Sequence, residues 1–298
     1  MRLSINLCTR KRPHVLASTL DATLKNIASP HTILMVSADE DDDESCRMAM
    51  RFLPHVHVSI KTRDASLGEK YNRVLTEAPA DVYLAMVDYA PHVTSGFDQK
   101  ILDAASIYPD GYAIIYNRPA NLSFPGINAV TAKMATAMGG IYPAYYPYWF
   151  VDHHLDDIGQ MTGRIVFADV AIDTSERKES AAKVWTQGQR DTWFWALLFD
   201  SLSQERQTTA LRIIDAMEEM LARKEALRNN IPMIVHHSMM VNSQARQMVG
   251  SERSTDPWYE NVKARAMAKL RSVVSADTMS SVEQAFIEIE RQLAQKAA

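Results

Sequence analysis

The apolar positions of this 298-residue chain change their spacing a little past its middle. Up to about residue 175, short aliphatic and β-branched runs alternate with stretches whose apolar residues recur every three or four positions. That is the pattern of an α/β fold with a largely parallel sheet. Leu3 to Cys8 predicts a first strand, and the loop Thr9-Arg10-Lys11-Arg12-Pro13 leads into a helix with Val15, Leu16, Leu20 and Leu24 at helical spacing. Ile33 to Val36 predicts a second strand, followed by the acidic turn Asp39 to Glu44 and a helix through Met48 and Phe52. Val56 to Ile60 predicts a third strand, Gly68 to Ala78 a helix, and Val82 to Val87 a central fourth strand. Ser95-Gly96-Phe97-Asp98 opens a further helix through Ile101, Leu102 and Ile107. Tyr112 to Tyr116 and Arg164 to Ile172 are the remaining strand candidates, with an aromatic, Gly- and Pro-containing segment between them. From about Glu176 long helical patterns take over, including Gln204 to Arg228 and Val282 to Lys296, with a break expected at Asn229-Asn230-Ile231-Pro232. The expected organisation is an α/β domain over residues 1–175 and a helical extension over residues 176–298 that packs on it through amphipathic faces.

Composition narrows the classes. With 47% hydrophobic residues the chain needs no metal or disulfide staple to build a core. Cys8 and Cys46 match no ligand or redox spacing, so a reducing compartment is expected. Met1 to Arg10 lacks a long apolar run, and no later stretch approaches the ~20 apolar residues of a membrane span, so a soluble, cytoplasmic protein is expected. A net charge of −4 argues against a generic nucleic-acid binder, which needs a concentrated basic face. His236 and His237 are adjacent and project in different directions from a helix, so they read as structural, and the methionines of residues 233–248 read as packing.

The chemistry gathers at predicted strand ends. Asp88 closes the run Val82 to Val87 just before Tyr89-Ala90-Pro91, where a strand must stop. In open α/β sheets ligands bind beyond the carboxyl ends of the strands, so this acid is expected to face a crevice and solvent. Thr9, Arg10 and Arg12 supply donors after the first strand, and Asp39 and Asp41 supply acceptors for a base or ribose after the second. Arg63 follows the third strand, and Lys70 and Asn72 sit on the next helix. Cations for a pyrophosphate, acceptors for ribose hydroxyls and an acid for a divalent ion are what a sugar nucleotide requires. A second acid, Asp152, closes the aromatic segment Tyr145 to Val151, with His153, His154, Asp156 and Asp157 behind it.

In order and spacing these elements resemble the GT-A glycosyltransferases, in particular the family-two-like group of nucleotide-diphospho-sugar transferases. The similarity spans residues 1–175. It is carried by Thr9 to Pro13, Val36 to Asp43, Gly68-Glu69-Lys70-Tyr71-Asn72, Val87-Asp88-Tyr89-Ala90-Pro91, Thr94 to Asp98 and Trp149-Phe150-Val151-Asp152. Val87 to Pro91 stands where the group has its Asp-X-Asp element, which places Asp88 and Tyr89 on the donor. Asp152 stands where the group has its catalytic acid. The resemblance implies a Rossmann-like sheet flanked by helices and sugar transfer from a donor such as a UDP-sugar, with inversion and Asp152 as general base.

The sequence departs from the group in two places. Ala90 replaces the second acid of Asp-X-Asp, and Ala171 to Ser175 has no metal-associated histidine. Two alternatives for the leaving diphosphate therefore stay open. One is Mg²⁺ or Mn²⁺ held by the diphosphate and Asp88, with His154 as a further ligand. The other is neutralisation by Arg10, Arg12 or Lys70. The rival readings of the whole chain are a degenerate nucleotide-sugar-binding or scaffold module, favoured by Ala90, and nucleotidyl transfer, disfavoured by the single acid. The acceptor, whether saccharide, protein or modified nucleic acid, is not legible, and the helical extension is expected to line the acceptor side or to join copies into a homo-oligomer.

Overall fold

A computed structural model describes residues 1–117, 128–147, 149–173, 191–247 and 257–297. Its centre is a seven-stranded sheet in the order β3-β2-β1-β4-β6-β5-β7. The strands are β1 (Leu3–Cys8), β2 (Ile33–Asp39), β3 (His57–Lys61), β4 (Val82–Val87), β5 (Ile114–Asn117), β6 (Asn128–Thr131) and β7 (Ile165–Ala168). All run parallel except β6, which pairs antiparallel with both β4 and β5. Strand order reverses beside β1, whose partners β2 and β4 lead to opposite edges, so the crevice beyond the ends of β1 and β4 is the topological switch point.

Alternation along each strand divides the core in two. Leu3, Ile5 and Leu7 of β1 and Val82, Leu84 and Met86 of β4 join one cluster with Leu16 and Leu20 of helix α1 (Pro13–Asn26) and Phe97 and Ile101 of helix α5 (Phe97–Ala105). Between these lie α2 (Asp43–Met50), α3 (Leu67–Asn72) and α4 (Val74–Glu77). The predicted helix from Gly68 to Ala78 is thus two short helices meeting at Arg73. The opposite face, with Met35, Tyr83, Ile114 and Tyr116, packs on α6 (Ala132–Met138) and α7 (Val151–Thr162).

The same second cluster continues into the C-terminal helices α8 (Thr192–Ser201), α9 (Ser203–Ala216), α10 (Leu221–Val241), α11 (Pro257–Arg271) and α12 (Ala276–Ala297). Phe194, Trp195, Phe199, Ile213, Tyr259, Val262 and Leu270 are buried in one continuous core with Leu155 and Ile158 of α7. Buried ion pairs bolt the layers, with Arg206 Nε on Asp157 at 2.8 Å and Arg164 on Asp110 at 2.7 Å. Deeply buried pairs contribute little net stability, but losing one partner strands a charge. The boundary read at residues 175–176 lies outside the described residues.

Three expectations fail for identifiable reasons. No break occurs at Asn229 to Pro232, because Ile231 is buried in the core and helix α10 carries Pro232 in its interior. The interruption falls instead between α9 and α10, where Met217 and Met220 are extended. Met233 and Met240, read as packing, are 65% and 59% exposed, and Met248 lies outside the described residues. Strand β6, only four residues long, was hidden in the aromatic segment because so short a run carries no alternation to read.

Candidate active site

Asn6, a buried amide on the central strand, fixes the helix that carries Lys70. Its Nδ2 donates to the carbonyls of Lys70 and Tyr71 at 2.9 Å each, and its Oδ1 accepts from Ser37 Oγ at 2.8 Å. Lys70 is thereby directed across the strand ends, where Nζ donates to Thr9 O and Asp39 Oδ1, both at 2.8 Å. Asp39 also pairs with Arg10 at 2.9 Å. Arg10 forks onto Asp41 at 2.6 and 2.8 Å, and this pairing pulls the Asp41 pKa down to about 2.

Asp88 was expected to face solvent, yet it is wholly buried. Thr9 Oγ1 donates to its Oδ2 at 2.8 Å, and Arg12 Nη2 lies 2.6 Å from its Oδ1. Burial raises the Asp88 pKa against the opposing pull of Arg12 and the Thr9 hydrogen bond. The Arg12 guanidinium lies 5.3 Å from the Tyr89 ring centroid. The structure therefore brings together Thr9, Arg10, Arg12, Asp39, Asp41, Lys70, Asp88 and Tyr89.

Arg63 and Asn72 are placed differently. The Arg63 guanidinium sits 4.4 Å over the Trp258 ring of α11, and its charge reaches Asp41. Trp258 Nε1 donates to Asp64 O at 2.6 Å, and Arg265 pairs with Glu69 at 2.7 Å, so the last helices hold the β3–α3 connection. Asn72 is spent on the chain at residues 141–142: Nδ2 donates to Tyr142 O at 2.9 Å, and Oδ1 accepts from the Ile141 and Tyr142 amides at 2.7 and 3.3 Å. Gly68 permits this contact, since a Cβ there would stand 2.1 Å from Pro143 O.

That clamp sets Tyr71 edge-on to Tyr142, ring centroids 5.4 Å apart, with the Tyr71 hydroxyl donating to Met86 O at 3.3 Å. Burial raises both phenol pKa values; the charge of Asp88 acts on Tyr71 and that of Asp152 on Tyr142. The two buried tyrosines are thus in contact with each other, the charge of Asp88 reaching one and that of Asp152 the other.

Asp152 lies in the first turn of α7, which is entered through Phe150 at φ 67°, a left-handed conformation costly for a side chain of this size. Phe150 is buried against Phe199 of α8, ring centroids 5.3 Å apart. The Asp152 side chain keeps 34% of its surface exposed. Its Oδ1 accepts from His153 N at 2.9 Å and His153 Nδ1 at 3.0 Å. Burial opposes the charged imidazole, but the hydrogen bond and charge of Asp152, with Asp156 and Asp157 beyond, raise the His153 pKa overall.

Of the aromatic segment, Tyr142, Tyr146 and Phe150 are buried as packing, Tyr145 and Trp149 are half-buried, and Tyr148 lies outside the described residues. His154, read as a possible metal ligand, is buried, and burial with Arg206 and Lys269 lowers its pKa well below the ordinary value. A site facing two cations is poor for a metal. Among the described residues no group of three or more His, Cys, Asp or Glu could hold a metal ion. Burial raises the Cys8 and Cys46 thiol pKa values, so neither is an activated nucleophile.

Sequence reasoning missed two contributors. Arg73 is buried and ties the ends of β2 and β3 through Ala38 O at 3.1 Å, Ser59 O at 3.3 Å and Asp64 at 2.5 Å. Its spacing of three from Lys70 was the available signal. Tyr116 of β5 donates to Asp156 Oδ1 at 2.9 Å, four residues after Asp152 on the same helix; nothing in the local sequence of β5 marks that contact.

No family model matches the chain, and no curated protein sequence matches it. Solved structures do. A mannosyltransferase from Pyrobaculum calidifontis, in complex with GDP-Man and Mn²⁺, aligns over 99% of this chain and 84% of its own at 13% identity and a TM-score of 0.54. Residues 1–349 of TarS from S. aureus, in complex with UDP-GlcNAc, align over 100% of this chain and 91% of their own at 11% identity and a TM-score of 0.55. TarS 1–349 in another crystal structure aligns over 94% and 83% at 10% identity and a TM-score of 0.55. The chain therefore has an α/β fold of the GT-A glycosyltransferase type with C-terminal helices. Among the described residues no helix is long and apolar enough to cross a membrane.

Proposed function

We propose that the chain is a glycosyltransferase that moves a sugar from a nucleoside-diphosphate donor to an acceptor hydroxyl, with inversion at the anomeric carbon. The observation that carries this reading is the cation–carboxylate cluster at the switch point, and the part-exposed acid Asp152 in the first turn of α7 supports it. The exposed Asp41 accepts hydrogen bonds from the base or ribose, while the buried Asp39, tied to Lys70 and Arg10, holds those cations in place. Arg10, Arg12, Arg63 and Lys70 supply donors and positive charge to the phosphates, with Thr9 holding Asp88, Tyr89 beside them and Asn72 holding the chain at 141–142. The solved relatives hold GDP-Man and UDP-GlcNAc, so GDP- and UDP-sugars are the donors of first choice.

Asp152 acts as general base. His153 occupies Oδ1 and leaves Oδ2 for the acceptor. The acceptor oxygen attacks the anomeric carbon on the face opposite the diphosphate and gives its proton to Oδ2. The carbon–oxygen bond to the diphosphate breaks, and its electron pair leaves with the nucleoside diphosphate, where fixed cations stabilise the developing charge.

A divalent ion is the alternative counter-charge, and the solved mannosyltransferase holds Mn²⁺. The residues here do not fit one, because Arg12 and Thr9 cover both Asp88 oxygens and position 90 is alanine. No step above runs through a metal.

The free thiols of Cys8 and Cys46 suit a reducing setting, and we place the reaction in the cytoplasm. Met220, Leu221, Met233, Met240 and Val241, all more than half exposed along α10, support a homo-oligomer contact that sedimentation would detect.

The test is incubation with a panel of UDP- and GDP-sugars and candidate acceptors, reading nucleoside diphosphate released and the mass of the product. Turnover with one donor supports transfer, and the product mass names the acceptor class. Donor binding without release from any sugar assigns instead the binding module that Ala90 favours.

A further inference from the structure

Asp88 carries its counter-ion within the protein. Its Oδ1 lies 2.6 Å from Arg12 Nη2, its Oδ2 accepts from Thr9 Oγ1 at 2.8 Å, and the carboxylate has no exposed surface. A divalent ion entering on Oδ2 would displace the Thr9 hydrogen bond, and on either oxygen it would meet the Arg12 guanidinium at close range, like charge against like. The residue two positions on, Ala90, is buried and offers no oxygen from its side chain.

Arg12 is poorly free to leave. It is the N-cap residue of α1, with Pro13 fixed at the first helical position, and its guanidinium lies 5.3 Å from the Tyr89 ring centroid. Its donors are not exhausted. Among the described residues Nε, though buried, has no hydrogen-bond partner, while a quarter of the side chain remains exposed toward the crevice end of the sheet. A guanidinium has five donors in a planar fork, enough to hold one carboxylate oxygen and still meet a phosphate. The positive end of α1 adds to the field at the same place.

We infer that Arg12, anchored by Asp88, supplies the positive charge that the donor's diphosphate needs, so that nucleotide binding at this site requires no divalent ion. The inference rests on the donor-site reading above. Asp88 then acts as a positioning residue that orients the guanidinium, and Lys70, which also acts on Asp88, stands behind it.

Calorimetric titration of UDP and GDP into the full chain, once in excess EDTA and once in MnCl₂, tests this directly. The nucleotide that binds wild type should do so with a Kd that agrees between the two buffers within about threefold. Arg12→Ala should weaken the diphosphate by ~10-fold or more in EDTA and weaken the matching monophosphate less. In that variant Mn²⁺ should recover part of the loss, because Asp88 is uncovered. Arg12→Lys, which keeps the charge and loses the fork, should fall between them and provides the comparison should the alanine variant not fold. Free Mn²⁺ followed by electron paramagnetic resonance should be no lower with wild-type protein and nucleotide than with the same nucleotide alone. Tightening of wild-type binding by ~10-fold in Mn²⁺, or unaltered affinity in both Arg12 variants, would overturn the inference while leaving the donor site standing. Absence of UDP and GDP binding in both buffers would remove the donor site and the inference together.

Discussion

The two ends of the crevice are built differently. On the donor side Asp39, Lys70 and Asp88 are buried, each tied by two or more polar contacts. On the proposed acceptor side the part-exposed Asp152 sits on a helix entered through a left-handed phenylalanine, and among the described residues its neighbour His153 holds it. Recognition of a charged, invariant group suits a preorganised cluster whose desolvation cost is met in folding. A base that must release its proton suits exposure. Loss of a buried partner in the proposed donor cluster should therefore damage stability and binding together, whereas loss of the Asp152 charge should fall mainly on turnover.

The sharpest break of that contrast is Asp39→Ala. It takes the carboxylate partner from buried Lys70 and one of the two carboxylates from Arg10, so we expect a loss of ~3–5 kcal/mol in urea unfolding along with nucleotide affinity. Unchanged unfolding would mean that the cluster is not a structural unit. At the entry to α7, Phe150→Ala should cost ~3–5 kcal/mol through lost packing. Phe150→Gly should be ~1 kcal/mol more stable than the alanine variant because it accepts the left-handed backbone. Equal stability of the two would show that the conformation carries no strain.

His153 tests the other side. Its pKa is raised in the folded chain, so its stabilising contribution is complete below the ordinary imidazole value, near 6.5, and disappears as pH rises through the folded value. The stability gap between wild type and His153→Gln should be widest in acid and should close at alkaline pH. Turnover should rise over the same interval, since a protonated His153 weakens Asp152 as a base; the variant should lack that rise. The smallest effect belongs to Trp258→Leu, which removes a cation–π contact of ~0.5–1 kcal/mol from Arg63 and should shift nucleotide affinity only a few-fold.

Much of the first half was legible because β1 alternates, β4 is one apolar run, and each is followed at once by a polar residue, Thr9 or Asp88, so the strands Leu3–Cys8 and Val82–Val87 emerge with their boundaries. The donor-side residues followed from their places at strand ends. What stayed hidden depended on contacts distant in sequence. Asp88 looked solvent-facing because Arg12, 76 positions earlier, covers it. Asn72 looked like a ligand because its true partners lie at 141–142, and Arg63 could not reveal that Trp258 stacks on it. The interruption between α9 and α10 was misplaced because a buried Ile231 outweighs the neighbouring proline.

We propose a division of labour between a donor cluster that binds and Asp152 that takes the proton. Its most direct test is Asp152→Asn, with donor Kd and nucleoside-diphosphate release measured on the same preparation. Donor Kd should be unchanged, and so should the melting temperature at alkaline pH, where His153 is neutral, with release slowed by ~10² or more. Release at the wild-type rate from a folded Asp152→Asn protein, with a verified acceptor, would contradict it.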